Sequence, residues 1–273
     1  MDLHICASLD ASTAGGTGNA VAGWFGEALS GLVPELWQRE EQGDQVSSLA
    51  TTQKDEQSRD ERFEPVSQNW PSMKLSLHDG PETADVLFFV TGGDGPVCHI
   101  NGSSISVRRP NMELSIKLDS AVCGTDADRG SRIVDFLAAS LNDVNPAFGR
   151  VDSTGPWDAH TNLDAVLRRR VRRSVNEART FLRGYSWITV CPEELSRRLG
   201  GPSALAASGA FSRVVPLAAG GVVLQATETL TGFTDDALRR VFRALAPVLP
   251  PGMPQYDPAD PNVRYIPEDA STV

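Results

Sequence analysis

The chain reads as an α+β protein: two tandem split-βαβ (ferredoxin-like) lobes joined by a long helix, with a disordered acidic insertion in the first lobe. Three observations predict this. The element order up to residue 155 reads β-α-(insertion)-β-β-α-β, and the order after it reads β-α-β-β-α, so one unit recurs without a repeat in the residues themselves. Leu163, Leu167, Val171, Val175, Ala178 and Leu182 form an apolar stripe at helical spacing, which predicts one helix over 162–182. Residues 38–70 are rich in Gln, Ser, Asp and Glu and poor in apolar residues, a composition that does not offset the entropy of ordering. The expected units are therefore a lobe at 1–155, a second lobe at 156–249 and a Pro-rich tail at 250–273.

In chain order, residues 3–9 alternate loosely, as a strand does. The Gly/Ser/Thr-rich run 10–18 is a flexible connection. Asn19 can cap a helix reaching about Leu32, with Val21, Trp24, Phe25, Ala28, Leu29 and Leu32 on one face. Residues 73–77 read as a short strand and 86–90 as a buried element that is either helix or strand. Segments 100–108 and 112–118 flank Pro110-Asn111, a turn signal, and predict a hairpin. Thr125 or Asp126 caps a helix to Leu141, which Asn145-Pro146 ends; 148–151 is a short strand. Gly184 stops the long helix, and 185–191 is a strand. Pro192-Glu193-Glu194 opens a helix that Gly200-Gly201 breaks. Segments 211–217 and 222–227 form a second hairpin, Thr234 caps a last helix to Leu245, and 263–266 is a candidate terminal strand.

Composition narrows the function classes. The net charge of −10 argues against broad nucleic-acid or anionic-membrane binding. The longest apolar run is 86–90, far short of the ~20 residues of a membrane helix. The start carries no basic and apolar leader pattern. Four scattered cysteines, Cys6, Cys98, Cys123 and Cys191, form no CxxC pair and read as reduced, buried thiols. A cytoplasmic protein is expected.

Motifs for chemistry are scarce. Gly16-Thr17-Gly18 opens a helix, but the third position of a dinucleotide fingerprint is Val21 and no Gly-Lys-Ser/Thr follows, so the Gly15–Gly18 loop predicts no cofactor. His4, His78, His99 and His160 lack ligand spacing, and Cys98 and His99, as strand neighbours, point to opposite faces; no metal is expected. Cys191 sits between a strand and a helix start, where a thiol pKa can fall. With no histidine near it in sequence, it reads as a buried structural cysteine. No residue is assigned a catalytic role. The densest charged feature is Arg168, Arg169, Arg170, Arg172, Arg173, Arg179 and Arg183. These lie off the apolar stripe and read first as a solvated face; as a site they suit an acidic protein partner better than nucleic acid. The candidate partner-binding residues are Arg168, Arg169, Arg172, Arg173 and Arg179.

Residues 181–201 carry Leu-Arg-Gly, then Trp187-Ile-Thr189, then an acidic-Leu helix start and Leu199-Gly200-Gly201. This pattern resembles bacterial type VI and polymorphic-toxin immunity-like proteins, over about residues 160–252. The resemblance implies a non-catalytic protein that docks one-to-one on a cognate protein toxin and neutralises it, without cofactor. The alternatives are an enzyme using Cys191 or the Gly-rich loop, and an assembly subunit or homodimer pairing through sheet edges or the long helix.

Overall fold

A computed structural model describes residues 2–10, 17–55, 58–62, 65–104, 111–119, 122, 125–153, 160–256, 258 and 261–273. The chain forms one ten-stranded antiparallel sheet rather than two. Its strands are β1 (Asp2–Asp10), β2 (Val46–Asp55), β3 (Ser58–Arg62), β4 (Thr83–Val90), β5 (Pro96–Ser104), β6 (Asn111–Asp119), β7 (Phe148–Asp152), β8 (Ile188–Cys191), β9 (Arg213–Pro216) and β10 (Val222–Gln225). They lie side by side in the order β3-β2-β4-β5-β6-β1-β7-β8-β10-β9. Residues before 153 supply seven contiguous strands and residues after 187 the last three. β7 pairs with β8 across the expected lobe boundary, Gly149 facing Val190. Every pairing is antiparallel, and β10 lies between β8 and β9 as a split βαβ requires; the expectation that fails is that of two separate lobes, because one sheet runs through both halves.

Strand parity sorts the residues into two faces. Leu3, Ile5, Ala7 and Leu9 of β1 share a face with Ile116 and Leu114 of β6, Ile100 of β5 and Val86 of β4, all wholly buried. Covering this face are α1 (Thr17–Glu27), a π-helical turn Ala28–Leu32, α2 (Pro34–Glu41), α3 (Val66–His78) and α4 (Asp126–Leu141). Trp24 of α1 meets Phe136 of α4 edge-on at 4.7 Å. Gly102 lets Phe25 and Val21 of α1 lie against β5; a Cβ there would sit 3.5 and 3.6 Å from them. Thr125 caps α4 as its sequence predicts, accepting from the Asp128 N–H.

The second half of the chain covers the opposite face, but only over β1, β7, β8 and β10, whose residues are buried on both sides. Its helices are α5 (Asn162–Val166), α6 (Val171–Asn176), α7 (Glu193–Arg198), α8 (Gly201–Ala207) and α9 (Asp235–Leu245). Tyr185 lies tilted against Phe242 of α9 and its hydroxyl oxygen accepts from the Ile266 N–H, tying the C-terminal segment down.

Five further expectations are corrected. The described residues within 38–70 form regular structure, carrying β2, β3 and parts of α2 and α3. Their few apolar residues suffice because β2 buries one face only: Val46, Ser48 and Ala50 point inward. The helix expected over 162–182 is two short helices. After α5 the Arg169 N–H bonds back to Asp164 O (2.8 Å) and the Arg168 N–H to Ala165 O (3.0 Å), the paired closure that ends a helix at a left-handed residue. Arg168, at φ +51°, takes the place glycine usually fills there. Finally, 73–77 lies within α3, 185–187 precedes rather than belongs to β8, and 263–266 is not a strand. The loop of the 100–118 hairpin, 105–110, lies outside the described residues.

Candidate functional site

The half of the sheet made by β2, β4, β5 and β6 is covered by helices on one face, and among the described residues its other face is open. β4 over residues 83–89 and β5 over residues 97–103 alternate between half-exposed and buried residues, the signature of a one-sided sheet. The open face presents Leu49 and Thr51 of β2, Asp85, Leu87 and Phe89 of β4, His99 and Asn101 of β5, and Ser115 and Lys117 of β6. These side chains are knitted together at its centre. His99 Nε2 donates to Asp85 Oδ1 at 2.7 Å and Asn101 Nδ2 donates to the same oxygen at 2.8 Å, while Thr51 Oγ1 donates to Oδ2 at 3.4 Å. Partial burial pushes the Asp85 carboxyl up, but these donors outweigh it and hold the group below the usual carboxylate range.

Along β1 the same face turns dry. Arg183, 1% exposed, enters from the second half of the chain. Its Nη1 donates to Ser8 Oγ (3.0 Å), Ser8 donates to Glu113 Oε2 (2.6 Å), its Nε donates to Ser174 Oγ (3.2 Å), and its Nη2 lies 3.7 Å from Asp164 Oδ2. Burial raises the Glu113 carboxyl against the pull of Arg183. Two residues along β1, the Cys6 thiol lies 3.1 Å from His4 Nε2, with Arg150 beside it. A Cys–His pair could be a nucleophile and its base. Here burial pushes the thiol up to about 12, so it is held protonated and serves as a packed hydrogen-bonding group.

The five candidate arginines separate. Arg179 is clamped: it grips Asp10 with two 3.0 Å hydrogen bonds, reaches Glu194 Oε2 at 3.1 Å and donates to Asn145 O at 2.8 Å. Arg169 is turned in toward Asp164 and Glu177. Arg173 is exposed and donates to Glu177 at 2.9 Å. Arg168 and Arg172 are exposed, as is Arg170, and the three make no ion pair among the described residues. Cys191 is wholly buried and burial raises its pKa, so its place before α7 confers no activation. Residues 15 and 16 of the Gly-rich loop lie outside the described residues, as does Cys123; Gly18 packs on the end of α3, where a Cβ would sit 2.2 Å from His78 O. Cys98 is buried and His99 half-exposed on opposite faces of β5, as strand parity predicts. Asp85, Asn101, Thr51 and the His4-Cys6-Ser8-Asp10 series carry the open face and its dry margin. Their alternation along four strands was the sequence signal, and it becomes a site only once the strands are placed side by side.

No family model matches the chain, and no curated protein matches it in sequence. The fold has a counterpart. A structure described as "Pseudomonas aeruginosa T6SS protein PA0821" superposes with a TM-score of 0.59 at 11% identity, covering 96% of this chain and 77% of that one. At that identity the likeness concerns the fold. No helix among the described residues is long and apolar enough to cross a membrane.

Proposed function

We propose that this chain is an immunity-type protein, which binds a cognate protein toxin and neutralises it by occupancy. The observation that carries the reading is the open half of the sheet. Its centre is a set of short polar side chains already hydrogen-bonded to one another around Asp85, and half-buried Leu49, Leu87 and Phe89 lie beside them. Such a surface mixes apolar area with fixed polar partners, as protein interfaces do. Because its groups are already held, docking forgoes much of the ~0.5–1.5 kcal/mol that immobilising each flexible side chain costs. The likeness to a T6SS protein and the 181–201 pattern support a bacterial secretion setting, in which the partner is a protein.

The test is affinity purification of the tagged chain from its host at moderate salt, followed by co-expression with whatever co-purifies. One stoichiometric partner that is toxic alone and harmless with this chain is expected, and Phe89→Lys should abolish its capture. A clean monomer that rescues no neighbouring toxin gene would overturn the reading.

A further inference from the structure

We propose that Arg168, Arg170 and Arg172, together with Met253 and Tyr256, form the contact for an acidic protein surface that carries an exposed apolar side chain. The proposal rests on the toxin-binding reading above and specifies where, and by what chemistry, the partner is held.

The arginines stand on a fixed backbone. Arg168 closes α5 in a left-handed conformation, and the next residue, Arg169, is drawn inward to Asp164 and Glu177. With Arg169 as the anchor, its neighbours Arg168 and Arg170 project outward, and Arg172 follows on the first turn of α6. A strap from the C-terminal segment lies directly beside them. The Gln255 N–H bonds to Val166 O at the end of α5 (2.8 Å), and Gly252 packs on Leu167, where a Cβ would meet Cδ2 at 3.3 Å. Met253 and Tyr256 on that strap are 61% and 63% exposed. Exposed Met, Tyr and Arg in one place is the composition of interface centres.

Charge decides the occupant. Among the described residues the neighbouring acids are already engaged: Asp164 and Glu177 by Arg169 and Arg173, Asp10 and Glu194 by Arg179. Among the described residues, three exposed guanidinium groups are left without an acid, on a chain of net charge −10. A positive ridge on an acidic molecule attracts an acidic patch and repels most other approaches, which sets orientation as well as encounter rate. Nucleic acid is disfavoured, since the rest of the chain repels phosphate and one exposed tyrosine makes no stacking track.

The probe is a fluorescently labelled Glu-Tyr copolymer, followed by anisotropy at about 100 mM salt, where pairs closer than a Debye length of ~10 Å still attract. The triple variant Arg168→Gly, Arg170→Ala, Arg172→Ala should bind on the order of tenfold more weakly than the natural chain, as loss of three exposed charges implies. Met253→Ala with Tyr256→Ala should also weaken it. Because glycine suits the left-handed position at 168, the triple variant should melt no lower than the natural chain. Equal affinity of natural and triple-variant chains would overturn the ridge, as would tighter binding of single-stranded DNA than of the copolymer. If the triple variant still captures a stoichiometric toxin from the host, the ridge is wrong and the toxin reading stands. If the copolymer discriminates the variants but no toxin is captured, the ridge stands and the toxin reading falls.

Discussion

Arg183 and Asp164 carry opposite charges in the driest part of the molecule, 1% and 0% exposed, 3.7 Å apart. Arg183 also lies over the Phe148 ring at 5.4 Å and donates to Ser8 and Ser174. A buried ion pair adds little against a well-packed apolar replacement, yet breaking it by removing one partner strands the other charge. Arg183→Met should therefore cost about 3–5 kcal/mol in urea unfolding, because Asp164 stays buried with Arg169 as its remaining ion-pair partner among the described residues. Adding Asp164→Asn should recover a large part of that loss. Simply additive costs would show that the two groups do not act as a pair. In the sequence Arg183 is one of seven arginines in a basic run, and nothing local marks it as interior. Its partner on β1, Ser8, is 175 residues away.

Among the elements, β7 is the hinge between the two groups of strands, and Gly149 is what admits it. A Cβ at 149 would lie 2.7 Å from Val190 Cγ2, 2.8 Å from Val190 Cβ and 3.0 Å from Cys6 O. Overpacking of this kind displaces backbone as well as side chains. Gly149→Ala should destabilise by about 1–3 kcal/mol, and Val190→Ala in the same chain should relieve part of the cost although it is a cavity-forming change by itself. If Val190→Ala gives no relief, the limiting contact is the Cys6 carbonyl. The elements legible in sequence were those with strong local signals. α4 begins at its Thr125 cap, α9 at Thr234, and β1, β7 and β10 lie where apolar patterning placed them. Those that misled were governed by distant partners. β2 reads as polar coil because half its residues face solvent, and its register is supplied by β4. The 162–182 stripe is helical in spacing, but Asp164, Arg169 and Arg183 are drawn inward and the ladder breaks at Arg168. The candidate site followed the same rule: exposed Arg168 and Arg172 were visible as charge, whereas the face around Asp85 required β2, β4 and β5 to be set side by side.

At the scale of the whole molecule, the question left by the sequence is whether the two halves are separate folding units. Each contributes a contiguous block of strands, which is what two lobes would do. Three features oppose independence. The sheet is continuous through β7 and β8; Arg183 and Arg179 of the second half are bonded to Ser8 and Asp10 of β1; and α4 of the first half packs on Trp187 of the second, where a Cβ on Gly130 would meet the indole at 3.4 Å. Splitting the halves would expose buried charge along with apolar surface, so a half-folded species should be costly and unpopulated. The buried thiols provide one probe on each side: Cys98 on β5 and Cys191 on β8, 1% and 0% exposed. Pulse alkylation across a urea series, read peptide by peptide, should give the two cysteines the same midpoint. If Cys191 is labelled at a lower or higher urea concentration than Cys98, the chain has two units after all. The ridge of Arg168, Arg170 and Arg172 and the open face around Asp85 would then sit on parts able to move against each other, and a partner touching both would have to hold the halves in place.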